Sequence, residues 1–201
     1  MGDERVFRLI LLGAFVLLVP FGIWHRIKSH TGEKLDRRQE GLFILITLRL
    51  LGSVAMVAII TYFINPDLMD WAAMPLPLFV RWIGIGLGPF AGLLLVWTFH
   101  TLGPNLTDTV VTRKEHTLIT NGPYRWVRHP FYLSGFLAVL TFSLGAANWF
   151  ILLSGSLAIL LLGIRSRKEE ENLIARFGED YRSYMKRTGR FLPRIVAHRD
   201  L

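Results

Sequence analysis

Cysteine is absent from the 201 residues. That excludes a disulfide framework, a thiolate metal site and a cysteine nucleophile. Charge is scarce as well: Asp, Glu, Lys and Arg make up 19% of the chain against 52% hydrophobic residues, where a soluble domain holds about 25% and 45–50%. Low charge with high hydrophobicity excludes intrinsic disorder. No internal repeat or low-complexity tract is present, and the six histidines contain no His-x-x-x-His pair, so no metal is expected.

What the chain does have is long apolar runs. A spanning helix needs about 20 mainly apolar residues. Phe7–Trp24 is the first candidate; Pro20 lies inside it, and five cations between Arg26 and Arg38 follow it. With no small-residue cleavage site after it, this run reads as a retained span rather than a signal peptide. Gly41–Ile64 is the second, interrupted only by Arg49 and stopped by Asn65-Pro66-Asp67, since proline removes a backbone donor and biases its predecessor away from helix. Leu76 to Thr101 is the third, with Gly84, Gly86, Gly88 and Gly92 placed for close helix approach. Pro130–Leu144 and Trp149–Ile164 are shorter and joined by a tight Gly-Ala-Ala-Asn turn, which predicts a packed helical hairpin not necessarily crossing fully. From Arg165 a charged helix follows, with Leu173, Ile174, Phe177, Tyr181 and Tyr184 on one apolar stripe.

The expected fold is therefore an all-α integral membrane protein with about five transmembrane helices, the fourth and fifth forming the hairpin, and a cytoplasmic C-terminal helix. Residues 1–101 would hold three transmembrane helices with their loops, and 102–201 the functional region. The net charge of +8 follows topology: segments 26–40, 102–129 and 165–201 carry 5, 4 and 10 of the 23 Lys and Arg residues. The positive-inside rule then sets the N-terminus outside and the C-terminus in the cytoplasm. Because the cations follow the membrane rather than one face, the partner expected is the lipid bilayer and not nucleic acid.

Chemistry-bearing residues gather in the segments on that basic side. The stretch 100–132 is long for a connection, and long connections in compact proteins are usually functional or disordered; its aromatic and histidine content favours function. His129-Pro130 starts the fourth helix and sets Arg128 and His129 at an anion-favouring N-terminus. Tyr132 lies on the same helical face. Glu169-Glu170-Glu171 near the bilayer surface needs cationic partners, either loop arginines or a ligand.

The motif GPYRWVRHPFY (122–132), an apolar hairpin, the Glu169-Glu170 pair and FGEDYRSYMKRTGRFLP (177–193) together resemble the isoprenylcysteine carboxyl methyltransferase family. That family belongs to a wider group of integral membrane methyltransferases that includes the phospholipid N-methyltransferases. The resemblance implies S-adenosylmethionine as methyl donor, no metal, and a lipid-like or small apolar acceptor, the prenylcysteine carboxylate being the family type. A phospholipid amine or a small thiol are alternative acceptors. The same arginine-histidine-proline motif also resembles membrane sterol reductases, so an NADPH-dependent reductase and a non-enzymatic scaffold stand as rival readings.

By the same resemblance His116, Leu118, Ile119, Tyr124, His129 and Glu170 would line the donor. Arg128, His129, Tyr132, Glu169 and Glu170 would form the reaction site. Asn105 matches a recurrent family position, and it and Arg128 would face the acceptor. Arg49 joins this acceptor set on separate grounds, because arginine inside a span is functional by default. Arg81 is expected to snorkel to the outer face, and Tyr181 and Tyr184 to pack.

Overall fold

The structure is a computed structural model that describes residues 2–29, 42–105 and 117–194. Its helices are α1 (Gly2–Lys28), α2 (Leu42–Ile64), α3 (Leu78–Leu102), α4 (Pro130–Gly145), α5 (Trp149–Phe177) and α6 (Glu179–Arg187). Among the described residues there are no named strands, only two isolated bridges. Among the described residues four helices are long and apolar enough to cross a bilayer: Asp3–Lys28, Phe43–Ile64, Leu78–Leu102 and Trp149–Phe177. This is an integral, multi-pass membrane protein.

The hairpin differs from expectation in one arm. The fifth apolar run and the charged segment are one continuous helix of 29 residues, because nothing between Trp149 and Phe177 breaks helical geometry. The break comes at Gly178, whose φ of 55° is a left-handed conformation natural to glycine. α4 has only 16 residues, about 24 Å of helix against a hydrocarbon core of about 30 Å. It still reaches both polar layers, with Tyr132 bonded to Glu169 at one end and Gly145 accepting from Arg81 at the other. Four long helices and one short one thus connect the two layers.

The lipid-facing surface is written at heptad spacing. Phe43, Leu50, Val57 and Ile64 lie 61–77% exposed along α2, a stripe that in water would be an adhesive patch. The buried apolar cluster of Leu11, Ala58, Tyr62, Met69, Ala146 and Ile151 sits beside the α4–α5 turn. There Arg81 is not a snorkelling side chain: 12% exposed, it pairs with Glu4 at 2.7 Å, donates to the Gly145 carbonyl at 2.7 Å and lies over the Phe7 ring. A snorkelling arginine needs open access to the interface, and α1 covers this one. Tyr62 also donates to Glu4, and Arg8 bonds the last carbonyls of α2, so these polar contacts clasp α1 to α2, α3 and the α4 terminus.

α3 meets α4 at the expected glycines. A Cβ on Gly84 would stand 2.5 Å from Leu144 Cβ and 3.1 Å from Gly145 N, whereas one on Gly86 would meet nothing within 4 Å. Gly84→Ala is therefore expected to destabilise the detergent-solubilised protein by about 1–3 kcal/mol. Gly86→Ala should be neutral or stabilising by up to about 1 kcal/mol. Equal melting temperatures for the two variants would contradict this helix crossing.

Candidate active site

The loop entering α4 is built by local rules and then pinned by a distant segment. Gly122 adopts φ 55° and opens a 3-10 turn through Arg125. Val127 pairs in parallel with Gly189. Gly189 N donates to Trp126 O (3.1 Å), Arg128 N to Gly189 O (2.9 Å) and His129 N to Arg190 O (3.0 Å). The chain beyond α6 thereby straps across the start of α4. Tyr184 Oη donates to the Tyr124 carbonyl at 2.7 Å and ties α6 to the same loop. Burial pushes the phenols of Tyr124, Tyr181 and Tyr184 well above their usual range, and neighbouring glutamates add to this. These three hydroxyls stay protonated, and that of Tyr184 is the donor in its bond to Tyr124.

At the centre is Glu170, 5% exposed. Its Oε1 accepts from Arg128 Nε at 2.8 Å and lies 3.1 Å from His129 Nε2; its Oε2 accepts from Arg190 Nη2 at 2.7 Å. A buried carboxylate is stable only when paired and hydrogen-bonded, and this one has three partners. The anion at the α4 N-terminus is therefore supplied by α5. Arg128 also donates from Nη1 to the Thr188 and Met185 carbonyls. Glu169 is different: its side chain is 33% exposed, and Oε2 accepts from Tyr132 Oη at 2.9 Å. The His129 and Tyr132 rings stack at 5.1 Å, with Phe191 beside both. Glu171 stands apart, exposed and paired with Lys168 one turn back.

Arg128, His129, Tyr132, Glu169 and Glu170 are thus brought into one cluster, and Tyr124 backs it through α6. Leu118 and Ile119 are half-buried on the irregular stretch 117–120 leading to it. His116 lies outside the described residues. Asn105 binds Thr117 through both halves of its amide, at 2.9 and 3.2 Å, and so closes the two ends of the 106–116 segment. Arg49 is on the exposed side of α2 and is not drawn into the cluster. Arg190, Thr188 and Phe191 are the residues sequence reasoning did not single out. Arg190 pairs with a carboxylate 20 positions away, and no local spacing signals such a contact.

A helical bundle in a membrane, with its buried ionic machinery collected at one end around a histidine-proline helix start, is the class of protein that fold and site define. Residues 84–175, a little under half of the chain, match the sequence model of the isoprenylcysteine carboxyl methyltransferase family. It is similar to the human protein-S-isoprenylcysteine O-methyltransferase, 33% identical over 123 residues, 58% of this chain and 43% of that protein. It is also similar to the cobalt-zinc-cadmium resistance protein CzcN of Cupriavidus metallidurans, 32% identical over 130 residues, 59% of this chain and 56% of that one. The matches cover about half the length of these relatives. A solved structure of the eukaryotic intramembrane Ras methyltransferase of this family shares the fold at TM-score 0.53 and 24% identity, over 73% of this chain and 52% of that chain.

Proposed function

We propose that the chain is an S-adenosylmethionine-dependent membrane methyltransferase whose acceptor is a lipid-like carboxylate of the prenylcysteine type. The observation that carries this is the contrast between the two glutamates in the family-matched region. Glu170 is neutralised by Arg128, His129 and Arg190, while Glu169 keeps one solvent-facing side and spare acceptor capacity. The donor is a cation at sulfur and at its amino group and an anion at its carboxylate. A partly open carboxylate beside an arginine cluster fits that charge pattern. When bound, S-adenosylmethionine supplies an electrophilic methyl group.

The protein's own residues then have positioning and electrostatic work to do, which in a well-oriented reaction supplies up to about 7–11 kcal/mol. Glu169, oriented by Tyr132, stabilises positive charge. Glu170 holds Arg128, His129 and the strap in register. His129 Nε2 is already engaged by Glu170, which favours an acceptor that arrives as an anion and needs no general base over an amine or thiol that needs one. The basic side of the bundle, by its lysines and arginines, is the cytoplasmic side, with the N-terminus outside. Residues 102–201 are the methyltransferase region, and 1–101 complete the bundle around it.

S-adenosylhomocysteine at 100 times its dissociation constant should stabilise the purified protein by about 2.7 kcal/mol, with NADPH producing no shift. Glu169→Gln should cost only about 1 kcal/mol of stability, the value of one hydrogen bond, yet lower methyl transfer at least about 100-fold, as for a lost electrostatic contact in the transition state. A shift with NADPH alone, or near-normal turnover of Glu169→Gln, would defeat the reading.

A further inference from the structure

Arg128 is the arginine the family motif offers for an anionic ligand, but its Nε and Nη1 donors are already committed. Nε serves Glu170, and Nη1 serves the Thr188 carbonyl at 2.5 Å and the Met185 carbonyl at 3.3 Å. Its side chain is 10% exposed. A guanidinium has five N–H donors, and those on Nε and Nη1 of Arg128 point into the fold.

Arg190 has the opposite inventory. One nitrogen, Nη2, reaches Glu170; its Nε is buried and has no acceptor among the described residues, and its side chain is 29% exposed. Buried N–H groups without acceptors are uncommon in native proteins, and each asks for an explanation. The strap fixes where this group stands: His129 N bonds the Arg190 carbonyl, Thr188 Oγ1 bonds Tyr184 O, and the guanidinium lies 5.8 Å over the Phe191 ring that packs on His129. Its backbone is thus held beside the cluster while its Nε keeps no acceptor among the described residues.

We propose that Arg190 is the ligand-binding arginine of this site and grips a carboxylate, whereas Arg128 is a positioning residue that fastens Glu170 to the strap. The inference rests on the methyltransferase reading. Arg190 and Glu169 flank Glu170 as a cationic and an anionic group with spare hydrogen-bonding capacity, which suits a ligand carrying both an ammonium and a carboxylate. A planar guanidinium binds carboxylates by paired, charge-assisted bonds. Two carboxylates could fill the position: that of the methyl donor's amino-acid end, or that of the acceptor.

The test uses the full chain in detergent, with S-adenosylhomocysteine and its decarboxylated analogue as probes and a prenylcysteine as acceptor. Wild-type binding is measured first, because failure to bind S-adenosylhomocysteine overturns the methyltransferase reading itself. If the donor carboxylate is the partner, Arg190→Gln should weaken S-adenosylhomocysteine about 10- to 100-fold, the worth of a charged hydrogen bond, and leave the decarboxylated analogue unchanged. If the acceptor carboxylate is the partner, both donor analogues bind normally and the acceptor KM rises by that factor at unchanged kcat. Arg190→Lys keeps the charge toward Glu170 but not the fork, so it should melt like wild type and show the same selectivity in weaker form. Equal loss for both probes, or unchanged binding and KM in a folded variant, would overturn the assignment. Arg128→Lys should lower melting temperature and affect the two probes alike; a loss selective for the carboxylate-bearing probe there would reverse the two roles.

Discussion

Glu170→Ala is expected to be the most damaging single substitution at the charged end of the bundle. Removing the carboxylate leaves Arg128, His129 and Arg190 converging on one buried point, with both guanidinium groups charged and no anion between them. Breaking a buried pair by deleting one partner costs about 3–5 kcal/mol, and here one deletion breaks three contacts at 2.7, 2.8 and 3.1 Å. The loss should appear in detergent-unfolding titrations as a drop of that size, with methyl transfer abolished. Glu170→Gln should fall less, since the amide oxygen still accepts while its NH2 faces a donor. Glu171→Ala is the control: exposed, with a Lys168 contact at 3.1 Å one turn away, it should change stability by less than about 0.5 kcal/mol. If Glu170→Ala were as stable as Glu171→Ala, the ionic cluster would not be holding α5 to α4 and the strap.

That asymmetry between neighbouring glutamates shows where sequence reasoning reaches and where it stops. Apolar length and proline stops gave the helices, and the Asn65-Pro66 and Gly178 breaks fall where the residues demand them. The small residues of α3 signalled close packing, and Gly84 and Gly88 provide it. Hydropathy ends the fifth run at Ile164; the helix continues because helical propensity, unlike hydropathy, does not fall at Arg165. Arg81 departs from expectation for a related reason. A lone charge near a span terminus looks like a snorkeller until a distant carboxylate is known to lie beside it, and Glu4 is 77 positions away in sequence. Likewise, the motif 122–132 marked the N-terminal half of the site, but the strap that completes it contacts that motif through backbone bonds of Gly189 and Arg190. Backbone pairing between a loop and a tail leaves no periodicity in either.

Gly189→Ala is the second large effect, and it acts without removing any functional group. A Cβ at this position would point directly onto the Leu192 carbonyl oxygen, with Leu192 C at 2.9 Å and Arg194 N at 3.0 Å behind it. All three are backbone atoms, so no side-chain rotation relieves the clash and the strap itself must move. Moving it strains the bonds of Gly189 N to Trp126 O, Arg128 N to Gly189 O and His129 N to Arg190 O. It also displaces the Thr188 carbonyl that receives Arg128. Overpacking of this kind costs about 1–3 kcal/mol in stability. The functional loss should be larger, at least about 100-fold in kcat/KM, because misplacing catalytic geometry by about 1 Å carries that penalty. Gly178→Ala separates backbone strain from strap displacement: its φ is 55° and ψ −125°, but no described atom lies within 4 Å of an added Cβ, so it should cost about 1–3 kcal/mol from backbone strain alone and keep most of the activity. A Gly189→Ala enzyme with wild-type kcat/KM would mean that the strap adjusts freely, and that the position of Arg190 over Glu170 does not depend on its pairing with the loop before α4.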